Sequence, residues 1–159
     1  MDIKIIKPQE KHIEQMVKLA DDSRQYHIDI MNGYFKPVTP VSSGFEEKAI
    51  RTHMSEPENN IIFIAVDQHD TVLGMIMGEK VYKPWLQDSH FGHVSNIIVS
   101  SNARRQGIGK KLMDALVQEC KQSGVQEIDL GVYNSNTAAY DFYIEYGFKP
   151  IKQSLSIKL

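Results

Sequence analysis

Residues 97–116 read IIVSSNARRQGIGKKLMDAL, and this stretch decides the fold. Ile97, Ile98 and Val99 end a strand, a basic loop follows, and Gly107 and Gly109 open an amphipathic helix. On that helix Ile108, Leu112, Leu116 and Cys120 fall four apart, the spacing of one buried face. Gly124 stands where a helix cap belongs. A helix N-terminus leaves backbone N–H groups unpaired and carries about half a positive charge. Glycine lets that backbone approach a ligand oxygen closely. Arg104, Arg105, Lys110 and Lys111 add formal positive charge around the same point. Together these features predict an anion site of the phosphate or pyrophosphate kind. A Walker loop would need Ser or Thr after Gly109-Lys110, where Lys111 stands, and a dinucleotide fingerprint would need glycine at Leu112. What remains is Arg-x-x-Gly-x-Gly, spelled Arg104, Arg105, Gln106, Gly107, Ile108, Gly109.

Working outward, HVSNIIV at 93–99 is the strand that feeds this loop. Before it, IIFIAV at 61–66 is continuously apolar, as a strand buried on both faces should be. DQHD at 67–70 turns into a second strand over 71–82, and 83–90 reads as a loop. Toward the N-terminus, 2–6 alternates as a short strand, and Ile13, Met16, Val17 and Ala20 mark a helix over 9–21. Residues 22–44 carry no sustained period and read as a short helix plus loop, the kind of irregular segment that often binds ligands. A further helix covers 45–55 and stops at Pro57. After the central helix, 127–133 alternates as a strand, 137–146 is a short helix closed by Gly147, and 148–159 holds one or two closing strands. The order predicts an α/β (α+β) domain spanning 1–159, with a mixed, mostly antiparallel sheet flanked by helices.

Composition agrees. Of 159 residues, 42% are hydrophobic and 24% charged, values of an ordinary globular domain. Lys and Arg number 18 against 20 Asp and Glu, so no basic field argues for nucleic acid. Cys120 is alone, which excludes an intrachain disulfide and a Cys-based zinc site, and no metal is expected. No stretch approaches the ~18 apolar residues of a membrane helix. The opening MDIKIIKPQEKH lacks a signal-peptide core, so the reading is a mature cytoplasmic protein without a membrane partner.

The Arg-x-x-Gly-x-Gly segment resembles the acetyl-CoA-binding motif of the GNAT N-acetyltransferase superfamily. The second block, VYNSNTAAYDFYIEYGF at 132–148, is similar to the family's other motif: strand, Asn, short helix, Tyr, then Gly-Phe. The resemblance covers about 61–148. It implies a sheet splayed between the strands at 93–99 and 127–133, around a bulge, with acetyl-CoA in the gap. It implies that backbone amides from Arg105 to Lys110 hold the pyrophosphate and that main chain over Ile97, Ile98 and Val99 pairs with the pantetheine arm. Asn136 matches the pantetheine-contacting Asn, and Tyr143 the general acid. Family habit implies a homodimer.

The implied reaction moves an acetyl group from a thioester to a primary amine of a small molecule or peptide. The leaving thiolate needs a proton, and a phenol such as Tyr143 supplies one. A core aromatic is the other reading of Tyr143, since Ala139, Phe142 and Tyr146 share its helical face. Asn136 doubles as the N-cap of the helix at 137. Many family members place a Glu on the strand before the loop, and HVSNIIV has none. His93 and Glu79 are the candidate bases, with Ser95 placed to orient a water, and a water-relayed proton loss needs no dedicated base. Trp85 and Phe91 either line the acceptor entrance or cover the sheet edge. Acids at Asp22, Asp29, Glu46, Glu47 and Asp88 are placed to attract a cationic amine. The missing carboxylate leaves a second class open, an acyl-CoA-binding sensor with little catalysis.

Overall fold

The apolar run at 61–66 becomes a strand covered on both faces, and the rest of the sheet grows from it. The computed structural model describes residues 2–31, 34–86, 90–157 and 159. Five strands stand side by side in chain order: β1 (Lys4–Ile6), β2 (Asn60–Val66), β3 (Val72–Tyr82), β4 (His90–Val99) and β5 (Glu127–Leu130). The first four pair antiparallel, and β5 joins β4 parallel. The sheet is mixed and mostly antiparallel, as the sequence predicts.

Helices α1 (Ile13–Ile30) and α2 (Pro40–Ser55) cover one face. Their core holds Met16, Leu19 and Ile50 against Ile62, Ile64, Met75 and Ile98 of the sheet. On the other face lie α3 (Ile108–Gln122) and α4 (Thr137–Tyr146). Ile108, Leu112, Leu116 and Cys120, the predicted stripe, are each 1% exposed or less and pack on Ala65, Ile76 and Val94. Helix α3 lies this close because β3 offers no side chain beneath it at two positions. A Cβ on Gly78 would stand 2.6 Å from the His93 carbonyl oxygen and 3.0 Å from Leu116 Cδ1; one on Gly74 would stand 2.8 Å from that of Ile98.

Four expectations change. Helix α1 runs nine residues past 21, to Ile30, carried by i,i+4 pairs that sequence period does not show: Lys18 with Asp22, Gln25 with Asp29, and the His27 ring with the Ser23 carbonyl. Helix α2 starts at Pro40, not 45, because Thr39 caps it through the Ser42 N–H and Pro40 suits the first turn. Strand β5 ends at Leu130, not 133, because the chain there leaves β4. Residues 148–157 form no strand, and Ile151, Leu155 and Ile157 stand exposed. Their alternation meets no partner edge among the described residues.

Candidate active site

Strands β4 and β5 keep company for four residue pairs, from Phe91 with Glu127 to Val94 with Leu130. They then part. The divergence begins at an irregularity in β4: Met77 pairs with Asn96 but Gly78 with Val94, so Ser95 is an extra residue. A bulge of this kind bends its strand and raises local twist. Beyond it, among the described residues, β4 from Ser95 to Val99 has no strand beside it on the β5 side. The gap is a cleft of about 310 Å³, lined by Val94 to Ile97, by Gly131 to Tyr133, by Asn136, Ala139 and Tyr143 of the α4 region, and by residues of α1 and α2.

At the far end of β4 the chain makes one 3-10 turn (Ser101–Ala103) and enters the predicted anion loop. Arg105 and Gly107 are left-handed, at φ 62° and 75°. Interleaving left- and right-handed residues curls successive N–H groups into a concavity. Lys111 is the first residue whose N–H finds an acceptor, the Gly107 carbonyl. Among the described residues, the N–H groups from Arg105 to Lys110 have no protein acceptor. Gln106 and Lys110 are exposed beside them, and Lys110 reaches Asp114. Arg104 lies over the Tyr26 ring at 5.2 Å and donates from Nε to the Val99 carbonyl at 3.3 Å, tying the loop to α1. Gly109 faces Phe142 and Val99.

Asn136 caps α4, its Oδ1 accepting from the Ala139 N–H at 3.3 Å. Its Nδ2 points across the cleft to His27 Nε2, 3.4 Å away. Tyr143 is 9% exposed, packs on Phe142 and Phe148, and lines the cleft. Its ring is thus packed as a core aromatic while one side faces the cleft. Burial pushes its phenol up to about 12, so it holds its proton at neutral pH.

His93 and Glu79 face each other across β3 and β4, beside the cleft rather than in its lining. His93 Nδ1 meets Asp129 Oδ1 at 2.5 Å, and Lys83 holds Asp129 Oδ2 at 2.6 Å. Burial of Asp129 opposes its charge, but Lys83 and His93 together bring its carboxyl below the ordinary range. Glu79 accepts from His53 Nε2 at 3.1 Å, and that bond leads in lowering its pKa. The other nitrogen of His53 faces the Ala49 carbonyl at 2.8 Å. Burial penalises the His53 charge, yet Glu79 and Ala49 outweigh it and raise the ring's pKa. Both nitrogens face acceptors, which is the arrangement of an imidazolium.

The α1 and α2 side of the cleft has no motif in the sequence. Arg24 and Glu46 form an ion pair there, and His27 and Phe35 stand beside them. Tyr34, Phe35 and Tyr133 pack edge to face at the rim, with ring centroids 5.2 to 5.8 Å apart. Of the acids singled out by sequence, Glu46 lines the cleft. Asp22 and Glu47 are spent on Lys18 and Arg51, Asp29 takes the Gln25 amide, and Asp88 lies outside the described residues. Phe91 is buried under Lys83, Trp85 is 77% exposed, and neither is among the residues that line the cleft.

Residues 24–148 match the model of the acetyltransferase (GNAT) family. This chain is a GNAT protein. "GCN5-related N-acetyltransferase 6, chloroplastic" of Arabidopsis thaliana is 31% identical over 64 residues, 40% of this chain and 22% of its own length. The chain thus spans well under half of that relative. A Bacillus halodurans protein of known crystal structure superposes with a TM-score of 0.82 at 21% identity, covering 100% of this chain and 99% of that one. AAC(6')-Iy, solved with the bisubstrate analogue CoA-S-monomethyl-acetylneamine, gives 0.75 at 15% identity, covering 100% and 99%. These two likenesses speak for the GNAT fold. The GNAT family uses acetyl-CoA, and the donor set fits it: a run of free N–H groups suits a pyrophosphate, and a free strand edge suits an amide-bearing arm. Among the described residues, no three His, Cys, Asp or Glu side chains gather as metal ligands, and no helix is long and apolar enough to cross a membrane.

Proposed function

We propose that this chain transfers an acetyl group from acetyl-CoA to a primary amine of a small molecule or peptide. The observation that carries the reading is the parting of β4 from β5 at the Ser95 bulge, which opens a free strand edge leading to six unpaired N–H groups. Those groups, from Arg105 to Lys110, would hold the pyrophosphate; Ile97, Ile98 and Val99 would pair with the pantetheine arm, and Asn136 would meet it from α4. Acetyl-CoA supplies the thioester. A backbone N–H near Ile97 to Val99 would donate to the carbonyl oxygen as charge grows on it. Tyr143 would hand its proton to the departing sulfur. Its raised pKa keeps that proton in place until then, and the same burial raises the basicity of a thiolate beside it. Glu79, bonded to His53, and His93, bonded to Asp129, would fix the strand geometry around the bulge.

The reading treats 1–159 as one acetyltransferase domain acting in the cytoplasm, where a reduced Cys120 belongs; burial pushes that thiol up to about 11, which leaves it inert. A homodimer belongs to the reading too. Neither nucleic acid nor membrane is among its partners. The test is free-thiol release from acetyl-CoA with benzylamine, spermidine, glucosamine and an unblocked tripeptide, alongside calorimetry with CoA. Acceptor-dependent release establishes the transferase. CoA binding with no release favours the sensor, and absence of CoA binding removes the reading.

A further inference from the structure

The proton that the acceptor amine must lose has no obvious destination, because the strand before the loop carries no carboxylate. Five titratable side chains line the cleft among the described residues: Arg24, His27, Glu46, Tyr133 and Tyr143. Arginine is always protonated and cannot act as a base. Glu46 is engaged by that arginine. A phenol holds its proton at neutral pH. His27 is left.

Its hydrogen bonds fix which nitrogen is available. Nδ1 lies 2.8 Å from the Ser23 carbonyl one helical turn earlier, and a carbonyl only accepts, so Nδ1 carries the proton. Nε2 faces Asn136 Nδ2. Asn136 is itself oriented, because its Oδ1 is committed to the Ala139 N–H and so its NH₂ must point at the ring. A donor aimed at Nε2 requires a lone pair there. The Ser23 carbonyl places a proton on Nδ1, and the Asn136 amide on the other side of the ring agrees with a lone pair on Nε2. The Asn136 contact is 3.4 Å, beyond the ordinary 2.7–3.2 Å range, so it points at the lone pair without consuming it. The ring is held on its other sides by Tyr26, Phe35 and Tyr133, edge to face at 5.7 to 6.3 Å. It is preorganised as a hydrogen-bond acceptor facing the cleft.

We infer that His27 is the catalytic base of the transfer, resting on the acetyltransferase reading above. The acceptor arrives as an ammonium. Nε2 of His27 takes one N–H proton, which leaves the nitrogen a lone pair. That pair forms the C–N bond to the thioester carbonyl carbon, and the C–S bond breaks with its electrons on sulfur. Tyr143 protonates the sulfur, and the second proton from nitrogen restores the phenol. The imidazolium then releases its proton to solvent.

The test separates this inference from the reading it rests on. In His27→Asn the shorter amide can still donate to the Ser23 carbonyl while the Nε2 position is deleted, which guards against simple misfolding. We expect kcat/KM to fall roughly a hundredfold with the best of the four amines, CoA affinity to hold, the acid limb of the pH profile to vanish, and added imidazole to restore part of the rate. Wild-type rate and pH profile in His27→Asn would overturn the inference while thiol release still upheld the transferase. A second arm needs no acceptor. Long-range ¹H–¹⁵N NMR of the full chain should show neutral His27 with the proton on Nδ1; a proton on Nε2 overturns the inference whatever the assay gives.

Discussion

The two ends of the candidate site are built from different parts of the chain. The α3 end is main chain: N–H groups from Arg105 to Lys110, set by a left-handed Gly107 and the start of a helix. The α1 and α2 end is side chain: Arg24 on Glu46, His27 on Asn136, and aromatic rings at the rim. Backbone donors are written locally, in where glycine stands and where a helix begins. The side-chain end is assembled over distance, Arg24 meeting Glu46 across 22 residues and His27 meeting Asn136 across 109. In the proposed transferase the main-chain end would serve the cofactor and the side-chain end the acceptor.

The sharpest way to break this division is Gly109→Glu. The site of a Cβ at Gly109 is 3.4 Å from Phe142 and 3.9 Å from Val99, an ordinary contact, so the backbone has room for a side chain to begin there. The carboxylate would then sit against the anion cradle. Like charges forced together cost several kcal/mol, so acetyl-CoA affinity should fall by about 4 kcal/mol, roughly a thousandfold, in calorimetry. Unchanged affinity with native circular dichroism would show that the main-chain end is not the cofactor's.

Tyr143→Phe comes next, since Tyr143 stands where the two ends meet. Removing a proton donor should lower kcat by roughly a hundredfold while CoA affinity stays within about twofold. The packing on Phe142 and Phe148 survives the change, so a wild-type kcat would reduce Tyr143 to a core aromatic.

Arg24→Gln tests the other end alone. Losing a like charge and freeing Glu46 should lower the KM of the ammonium acceptor by about tenfold, near 1.4 kcal/mol, and leave CoA affinity untouched. A change in CoA affinity instead would mean that the two ends are not separable. Arg24→Lys, which keeps the charge opposite Glu46, should stay nearer the wild-type KM.

The same division explains what the sequence reveals. The α3 stripe of Ile108, Leu112, Leu116 and Cys120, the helix cap at Gly147 and the order of the first five strands follow local period and turn chemistry, and these are found in place. The bulge at Ser95 is implied by the family likeness, not by any residue in HVSNIIV; it appears as one extra residue in a register. Helix α1 past residue 21 carries Arg24 and His27 but few apolar residues at helical spacing, because it faces a cleft instead of a core. A segment that builds a polar site loses the very period that would announce it. His27 carries one faint local mark, Ser23 a turn before it, and nothing in sequence points to Asn136 as its partner.

The smallest effect tests Glu79 as part of the scaffold. Its partner His53 is 8% exposed, with a pKa raised, burial resisting and the bonds to Glu79 and Ala49 prevailing, while that of Glu79 is lowered, chiefly by His53. A raised histidine stabilises the fold fully below its unfolded pKa, about 6.5, and ceases to do so as pH climbs past the folded value. A lowered carboxylate stabilises it above about 4.3 and ceases as pH drops past its folded value. Both contributions coincide between those limits. His53→Gln should therefore lower Tm most near pH 5 to 6, by about 3 °C for a loss on the order of 1 kcal/mol in a domain of this size. The deficit should shrink above neutral pH, where wild-type His53 gives up its proton and its advantage. A deficit of equal size at every pH would mean that His53 acts by packing alone, and the ion pair would no longer account for how the sheet is held beside the bulge.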